Sequence, residues 1–317
     1  MPKPIVVVGS INLDLVSSGK RIPAPGETVV GDQFQTFHGG KGANQAVAIA
    51  RLGYPVSMFG SVGDDDFGSR LRRGLQAEKV NVRAVLTAQN TASGCAMIAV
   101  DAKGQNSITV IPGANHALLP CVMEKHLPIL RSAGMILTQL EIPLETVEFL
   151  CNMAQRLQIP LMLDPAPARA IPRRMLRCVT WLTPNETETC ALTGIAPADL
   201  TPATAPEIAR KLQSGGSANV IIKMGKFGAC LLGSDGEAKW VPAFKVKAVD
   251  STAAGDAFNG ALAVALMQGL APEAAVRYAA ATGALSVTRA GAQPSMPTAQ
   301  EVAALLNGHG KAARSGA

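Results

Sequence analysis

Aromatic residues make up only 4% of this 317-residue chain, and its basic residues are scattered apart from Arg70, Arg72, Arg73 and the pair Arg173–Arg174. A nucleic-acid platform combines a basic stripe with aromatic stacking residues. Lacking both, the chain carries its net charge of +6 as a mildly basic surface suited to a small anionic ligand. Long apolar runs are also missing: none approaches the roughly 20 residues of a membrane span. The cysteines Cys95, Cys121, Cys151, Cys178, Cys190 and Cys230 show no CxxC spacing and fall mainly in apolar runs. That argues against zinc and fits small buried side chains in a reducing compartment. His38, His116, His126 and His309 lie in unrelated contexts, and none is assigned to metal or catalysis. Gly9 follows the first strand-like run without the two further glycines of a dinucleotide fingerprint, and Lys41 is not followed by the Ser or Thr of a Walker A loop. No charged-then-apolar leader precedes Ile5, so the cytoplasm is the expected location.

What is present is an α/β alternation, with 48% hydrophobic and 16% charged residues. Short β-branched runs at Ile5–Val8, Val56–Phe59, Met135–Thr138, Leu161–Leu163, Trp181–Thr183, Val220–Lys223 and Ala229–Leu232 alternate with helical patterns. The helical patterns cover Ala43–Leu52, Leu71–Glu78, Leu144–Leu157, Glu207–Ser214, Ala257–Gly269 and Pro272–Val287. Strand–helix–strand repetition predicts a mostly parallel sheet covered on both faces. Residues 13–37, with Pro23, Pro25 and Gly26, and residues 92–111, which read as a hairpin turning at Gly104, break the rhythm. Together they form a candidate accessory sheet projecting as a lid, with plain surface hairpins as the alternative. The body spans 1–307, and residues 308–317 read as a flexible polar tail.

The chemistry concentrates in a few motifs. Asp250–Leu262 leads into a helix whose first amides, at Ala253, Ala254 and Gly255, form an anion-attracting donor cluster. Asp256 within that cluster would repel phosphate. It suits a base that deprotonates an alcohol attacking a phosphoryl group held by those amides, or it is a first-turn residue. Gly39–Asn44 places two glycines before Lys41 at a helix start, allowing close backbone approach to a polyol or phosphate. Asn12 and Asp14 follow the first strand, where ligands of open parallel sheets bind; they suit vicinal hydroxyls or a local Asx turn. Asn185 and Glu188 can form a capping box or hold hydrated Mg²⁺ through water. Glu141 and Asp164 each follow a strand-like run, Gly225 and Gly228 suit a tight turn near a nucleotide, and Thr288–Ser295 is rich in carbonyls.

In this order and spacing, Gly9–Asp14, Gly39–Asn44, Pro184–Glu188 and Ala253–Gly260 resemble the ribokinase-like carbohydrate kinases, from about Ile5 to about Leu306. Pro25–Thr28, Pro165–Arg169 and Thr288–Ser295 are most similar to the ribose-phosphorylating members. The resemblance implies a three-layer αβα sandwich with a central, mostly parallel sheet and a small projecting β lid that also pairs two subunits. It implies ATP-dependent phosphorylation of D-ribose at O5, with Asp256 as base and Ala253, Ala254 and Gly255 as anion hole. Asn12, Asp14, Gly40, Lys41, Asn44 and Glu141 would bind the sugar, beneath lid residues Ala96, Ile98 and Val110. Asn185, Lys223, Gly225, Gly228 and Gly255 would border ATP, and Glu188 would act on Mg²⁺ through water. A monovalent cation, K⁺, would lie among Asp250, Thr252, Ser286, Arg289, Gly291 and Ser295. Lys223 stands where the family commonly has a small hydroxyl residue, so it either contacts a phosphate or points away. The nearest rival readings are a deoxyribokinase or fructokinase; a non-catalytic sugar-binding regulator is more distant.

Overall fold

The structure, a computed structural model, describes residues 2–314. Its central sheet has nine strands. From one edge to the other they are Ala238–Pro242, Gly228–Leu232, Asn219–Lys223, Trp181–Leu182, Leu161–Leu163, Met135–Thr138, Ile5–Val8, Val56–Gly63 and Asn81–Ala88. Gly228–Leu232 pairs antiparallel with both of its neighbours, Ala238–Pro242 and Asn219–Lys223, and all other neighbours are parallel. Fully buried runs such as Ile5–Val8 and Met135–Thr138 explain why these strands lack alternation: both faces are covered. One face packs under the helices Lys41–Arg51, Ala254–Met267 and Pro272–Ser286. The other packs under Leu144–Leu157 and Ala205–Gln213.

The two irregular segments do form the accessory sheet. Its four strands run in the order Gln33–Gly39, Asn12–Ser18, Gly94–Val100 and Asn106–Ile111. The last two make the expected hairpin, with Gly104 at φ 77 in its turn. In register, Asp14 lies opposite Phe37 and Ala96, and Ala96 opposite Val110. These four side chains therefore share one face, with Val16, Ile98 and Ile108 on the next row.

Some elements escaped the sequence pattern. Asn81–Ala88 is an additional parallel edge strand, half exposed and so without a continuous apolar run. The helix Asp66–Ala77 starts five residues earlier than periodicity suggests, because Asp65 caps it by accepting from Gly68 N at 2.8 Å. The valine-rich stretch before Asp250 is a strand only over Ala238–Pro242. The final helix, Ala299–Arg314, continues into the segment expected as a tail from Gly308, and residues 315–317 lie outside the described residues. Among the described residues no helix is long and apolar enough to cross a membrane.

Candidate active site

Because the strands are parallel, their C-terminal ends open on one edge, and the residues following them meet there. From Ile5–Val8 the chain builds the sheet outward through Val56–Gly63 and Asn81–Ala88, then returns to add Met135–Thr138 on the opposite side. Loops leaving the two central strands diverge at such a reversal, which leaves a crevice between them. Ser10 and Glu141 face each other across it, Ser10 Oγ donating to Glu141 Oε2 at 2.5 Å. Lys41 N donates to the same carboxylate oxygen at 3.2 Å.

The Gly39–Asn44 turn fits this crevice only because positions 39 and 40 carry no side chain. A Cβ at Gly40, where φ is 86, would stand 2.7 Å from Asn12 N and 2.8 Å from Ser10 O. At Gly39 it would collide with the Asp14 carboxylate. The helix Lys41–Arg51 therefore begins against the first strand's end and turns Lys41, Asn44 and Gln45 inward. Asn12 is anchored by Asn115, whose Nδ2 donates to Asn12 Oδ1 at 2.7 Å while its Oδ1 accepts from Ile11 N at 2.8 Å.

Asp256 lies at the floor, 4% exposed. Asn44 Nδ2 donates to its Oδ2 at 2.9 Å, and Gln45 Nε2 to its Oδ1 at 3.0 Å. Burial pushes its carboxyl up to about 6; the charge of Asp164 adds to this, while Lys41 and the two amide hydrogen bonds oppose it. Burial disfavours the Lys41 ammonium, but Asp256, Asp164, Glu141 and Glu188 outweigh it and hold Lys41 above its ordinary range. Nearer the lid, burial pushes Asp14 up to about 7, with Glu141 adding repulsion.

Asp256 belongs to the first turn of Ala254–Met267. Ala253, the residue before that helix, sits in the left-handed region at φ 59 and offers no side-chain cap. That conformation costs a non-glycine residue about 1–2 kcal/mol, and it leaves the Gly255 and Asp256 amides at an uncapped helix start. Lys223 closes the other side. A Cβ at Gly255 would sit 3.5 Å from Lys223 Nζ, and that ammonium donates to Asp164 Oδ1 at 3.1 Å. Lys223 thus points toward the donor cluster. Its ion pair is nearly dry, and removing one partner of such a pair typically costs about 3–5 kcal/mol.

The remaining motif residues surround this centre. Asn185 and Glu188 form the capping box in full: Glu188 N donates to Asn185 Oδ1 at 2.9 Å and Asn185 N to Glu188 Oε2 at 2.8 Å. Burial, with Asp164 adding, holds Glu188 above the usual carboxylate range. Asn185 bridges Lys223, and Gly225 and Gly228 bracket the following turn at φ 47 and 113. Asp250 Oδ1 accepts from Thr252 N and Oγ1, and its Oδ2 from Gly291 N at 2.8 Å. Burial pulls Asp250 upward, but these bonds outweigh it and hold the carboxyl below its ordinary range. Val287 O accepts from both Val249 N and Asp250 N, so the two loops lie side by side. Arg289 N bonds Ser286 O in the same turn. The hydroxyls of Ser286 and Ser295 are instead committed to Gly283 O and Ala292 O. Among the described residues no group of three or more His, Cys, Asp or Glu is arranged to hold a metal ion.

Residues 3–299 match the model of the pfkB family carbohydrate kinases. The chain is 42% identical to a ribokinase of Bacillus subtilis over 96% of its own length and 99% of that protein's. It is 39% identical to a deoxyribokinase of Salmonella typhi over 94% of its length and 96% of that protein's. A solved structure of Arabidopsis thaliana ribokinase complexed with ribose and ATP superposes with a TM-score of 0.91, at 35% identity over 96% of this chain and 99% of that one. The chain belongs to the pfkB family of carbohydrate kinases.

In this pfkB chain, as expected from the motifs, Asn12, Gly40, Lys41, Asn44, Glu141 and Asp256 converge on one crevice. Several buried polar groups there were not singled out by sequence. Gln45 directly follows the glycine motif, but only helical geometry shows that it turns inward beside Asn44. Asn115 and Gln139 come from distant segments with no pattern that marks them, and Gln293 lies within Thr288–Ser295 but is not marked individually. Gln293 Nε2 donates to Asn44 Oδ1 at 3.3 Å, which ties the loop before Ser295 to the floor.

Proposed function

We propose that this carbohydrate kinase transfers the γ-phosphoryl group of ATP to O5 of D-ribose, with Asp256 as the general base. The observation that carries this is Asp256 itself: a buried carboxylate held by two amides, beside Lys41 and within the first turn of an uncapped helix. With a carboxyl near 6, it is ionised at neutral pH and can accept the hydroxyl proton. The amides of Ala253, Gly255 and Asp256, with Lys223 alongside, would stabilise charge on the transferring phosphoryl oxygens, whereas Ala254 N already donates to Ser251 O at 3.2 Å. Asn12, Asp14, Gly40, Lys41, Asn44 and Glu141 would hold the sugar hydroxyls, with Ala96, Ile98 and Val110 over the ring. Asn185, Lys223, Gly225 and Gly228 would border the nucleotide.

The oxygens of Asp250, the carbonyls of Thr252, Ser286, Arg289 and Gly291, and Ser295 make a hard donor set with one carboxylate, which suits K⁺. The stitching of the two loops through Asp250 and Val287 supports that fit. Such a cation, when bound, supplies positive charge behind the amide donors. Glu188 uses Oε2 in its cap, so the other oxygen is the one that would engage water on Mg²⁺. Phe34 and Met97, exposed apolar side chains on the face of the accessory sheet opposite Asp14, support a homodimer paired through the lid. Six free cysteines and the use of ATP support a cytoplasmic setting.

A coupled ADP-release assay with ribose, 2-deoxyribose, fructose and nucleosides tests the proposal. Ribose is expected to give the highest kcat/KM. The relative from Salmonella typhi makes deoxyribose the specific competitor. Preference for deoxyribose, a hexose or a nucleoside would refute the ribose assignment, and no turnover with any sugar would favour a non-catalytic regulator.

A further inference from the structure

At the floor of the site two carboxylates share one amide. Gln45 Nε2 donates to Asp256 Oδ1 at 3.0 Å and to Asp164 Oδ2 at 2.9 Å. An amide nitrogen has two hydrogens to give and accepts none, so it satisfies one oxygen of each carboxylate in the ionised form. Its orientation is locked from behind, because Gln45 Oε1 must accept, and Gln139 Nε2 donates to it at 2.5 Å. Gln45 and Gln139 are both wholly buried, so no water competes for these bonds.

The charges facing Asp256 are Lys41, from the start of the helix that carries Gln45, and Asp164, from the end of Leu161–Leu163. Beyond Asp164 stands Lys223, paired to its other oxygen. Two carboxylates this near each other, without a donor between them, tend to share one proton, and the pair then titrates in two separated steps. A shared proton would occupy the oxygen that has to accept one from the sugar.

We propose that Gln45 is a positioning residue that stands between Asp256 and Asp164, gives one hydrogen to each so that the two do not share a proton, and reserves Asp256 for the sugar hydroxyl and Asp164 for Lys223. This rests on Asp256 being the base. Gln45 acts through the Asp256 carboxylate, to which it donates, and takes no proton itself.

The test is the pH profile of kcat/KM for the full chain and for the variants Gln45→Met, Gln45→Glu, Asp164→Asn and Asp256→Asn, each checked for cooperative thermal unfolding. Gln45→Met keeps the volume and removes the donors. Its kcat should fall roughly 10- to 100-fold, as for a lost hydrogen bond to a charged group. Its acid limb should move up by about one pH unit as the two carboxylates interact directly. Gln45→Glu, which adds a third carboxylate, should move the limb further in the same direction. Asp164→Asn removes the repelling charge and should move it the opposite way, downward. An acid limb that stays in place in Gln45→Met overturns the proposal, since a purely structural role would lower kcat without shifting the profile. Should the Gln45 variants fail to fold, Asp164→Asn decides: a limb that is unmoved or raised overturns it. Asp256→Asn tests the underlying assignment separately, because full activity there removes the base itself whatever the Gln45 variants do.

Discussion

Asp256 and Asp14 are both carboxylates withdrawn from water, pushed up to about 6 and about 7, yet the two ends of the site surround them differently. At the floor Asp256 accepts two amide hydrogen bonds and lies beside Lys41. In the lid Asp14 accepts no hydrogen bond from any described residue; its row holds Phe37, Ala96 and Val110, and Glu141 repels it. Val110 is 50% exposed, and Ile108 beside it is similarly open. The floor is preorganised: Asn44 and Gln45 already hold Asp256, so with Asp256 as the proposed base little rearrangement would be needed during reaction. The lid instead leaves the Asp14 carboxylate without a donor among the described residues and its apolar row partly open, needs that a sugar would meet on the proposed reading. The division suits a kinase, which needs a fixed phosphoryl-transfer centre and a cover that admits sugar and excludes water.

The contrast is open to direct challenge. Asp256→Asn, at the floor, should lower kcat by about 10²–10⁴ while ribose still binds, as isothermal titration can show. Near-normal turnover would remove the functional meaning of the floor. Asp14→Asn, in the lid, should act mainly on binding, raising the ribose KM roughly 10- to 100-fold with a smaller change in kcat. If kcat falls as far as in Asp256→Asn, lid and floor do not divide the work in this way. The acid limb of kcat/KM should reflect the floor, because protonated Asp256 cannot accept the hydroxyl proton. Activity should therefore drop about tenfold per pH unit below about 6 and recover as pH rises through that value. An unchanged rate at a pH two units lower would separate the base from Asp256. The smallest effect is expected from Val110→Ser. Unfolding free energy should change by less than about 0.5 kcal/mol, as for other exposed sites, while the ribose KM rises a few-fold. Destabilisation well beyond that in urea unfolding would mean that the lid face is structural rather than a cover.

Much of the body was readable in the chain. Ile5–Val8, Met135–Thr138 and Leu161–Leu163 are strands over the expected residues, and Leu144–Leu157 is a helix over the expected span. Those runs are buried on both faces or strongly amphipathic, so composition alone marks them. Asn81–Ala88 was missed because an edge strand, partly exposed, needs no apolar run. Asp66–Ala77 was entered late because a cap at Asp65, not hydrophobic period, sets its start. At the site, Lys41, Asn44 and Asp256 could be named from local glycine and helix-start patterns. Gln45, Asn115, Gln139 and Gln293 could not, since a glutamine or asparagine has no periodic signature and its partners lie about 90 to 250 positions away in the chain.

The chain's own pattern is sufficient for the alternation of strand and helix and for the helix start at Ala253, because each depends on neighbours within a few residues. The meaning of the charged groups is a matter of assembly. Asp256 becomes a candidate base because Lys41, Asn44 and Gln45 of one helix and Asp164 of another segment surround it away from water. Lys223 points inward because Asp164 awaits it, and Gln45 separates two carboxylates that the sequence leaves 92 positions apart. Hydrogen-bond partners and local dielectric are set by three-dimensional proximity, and no one-dimensional spacing encodes them.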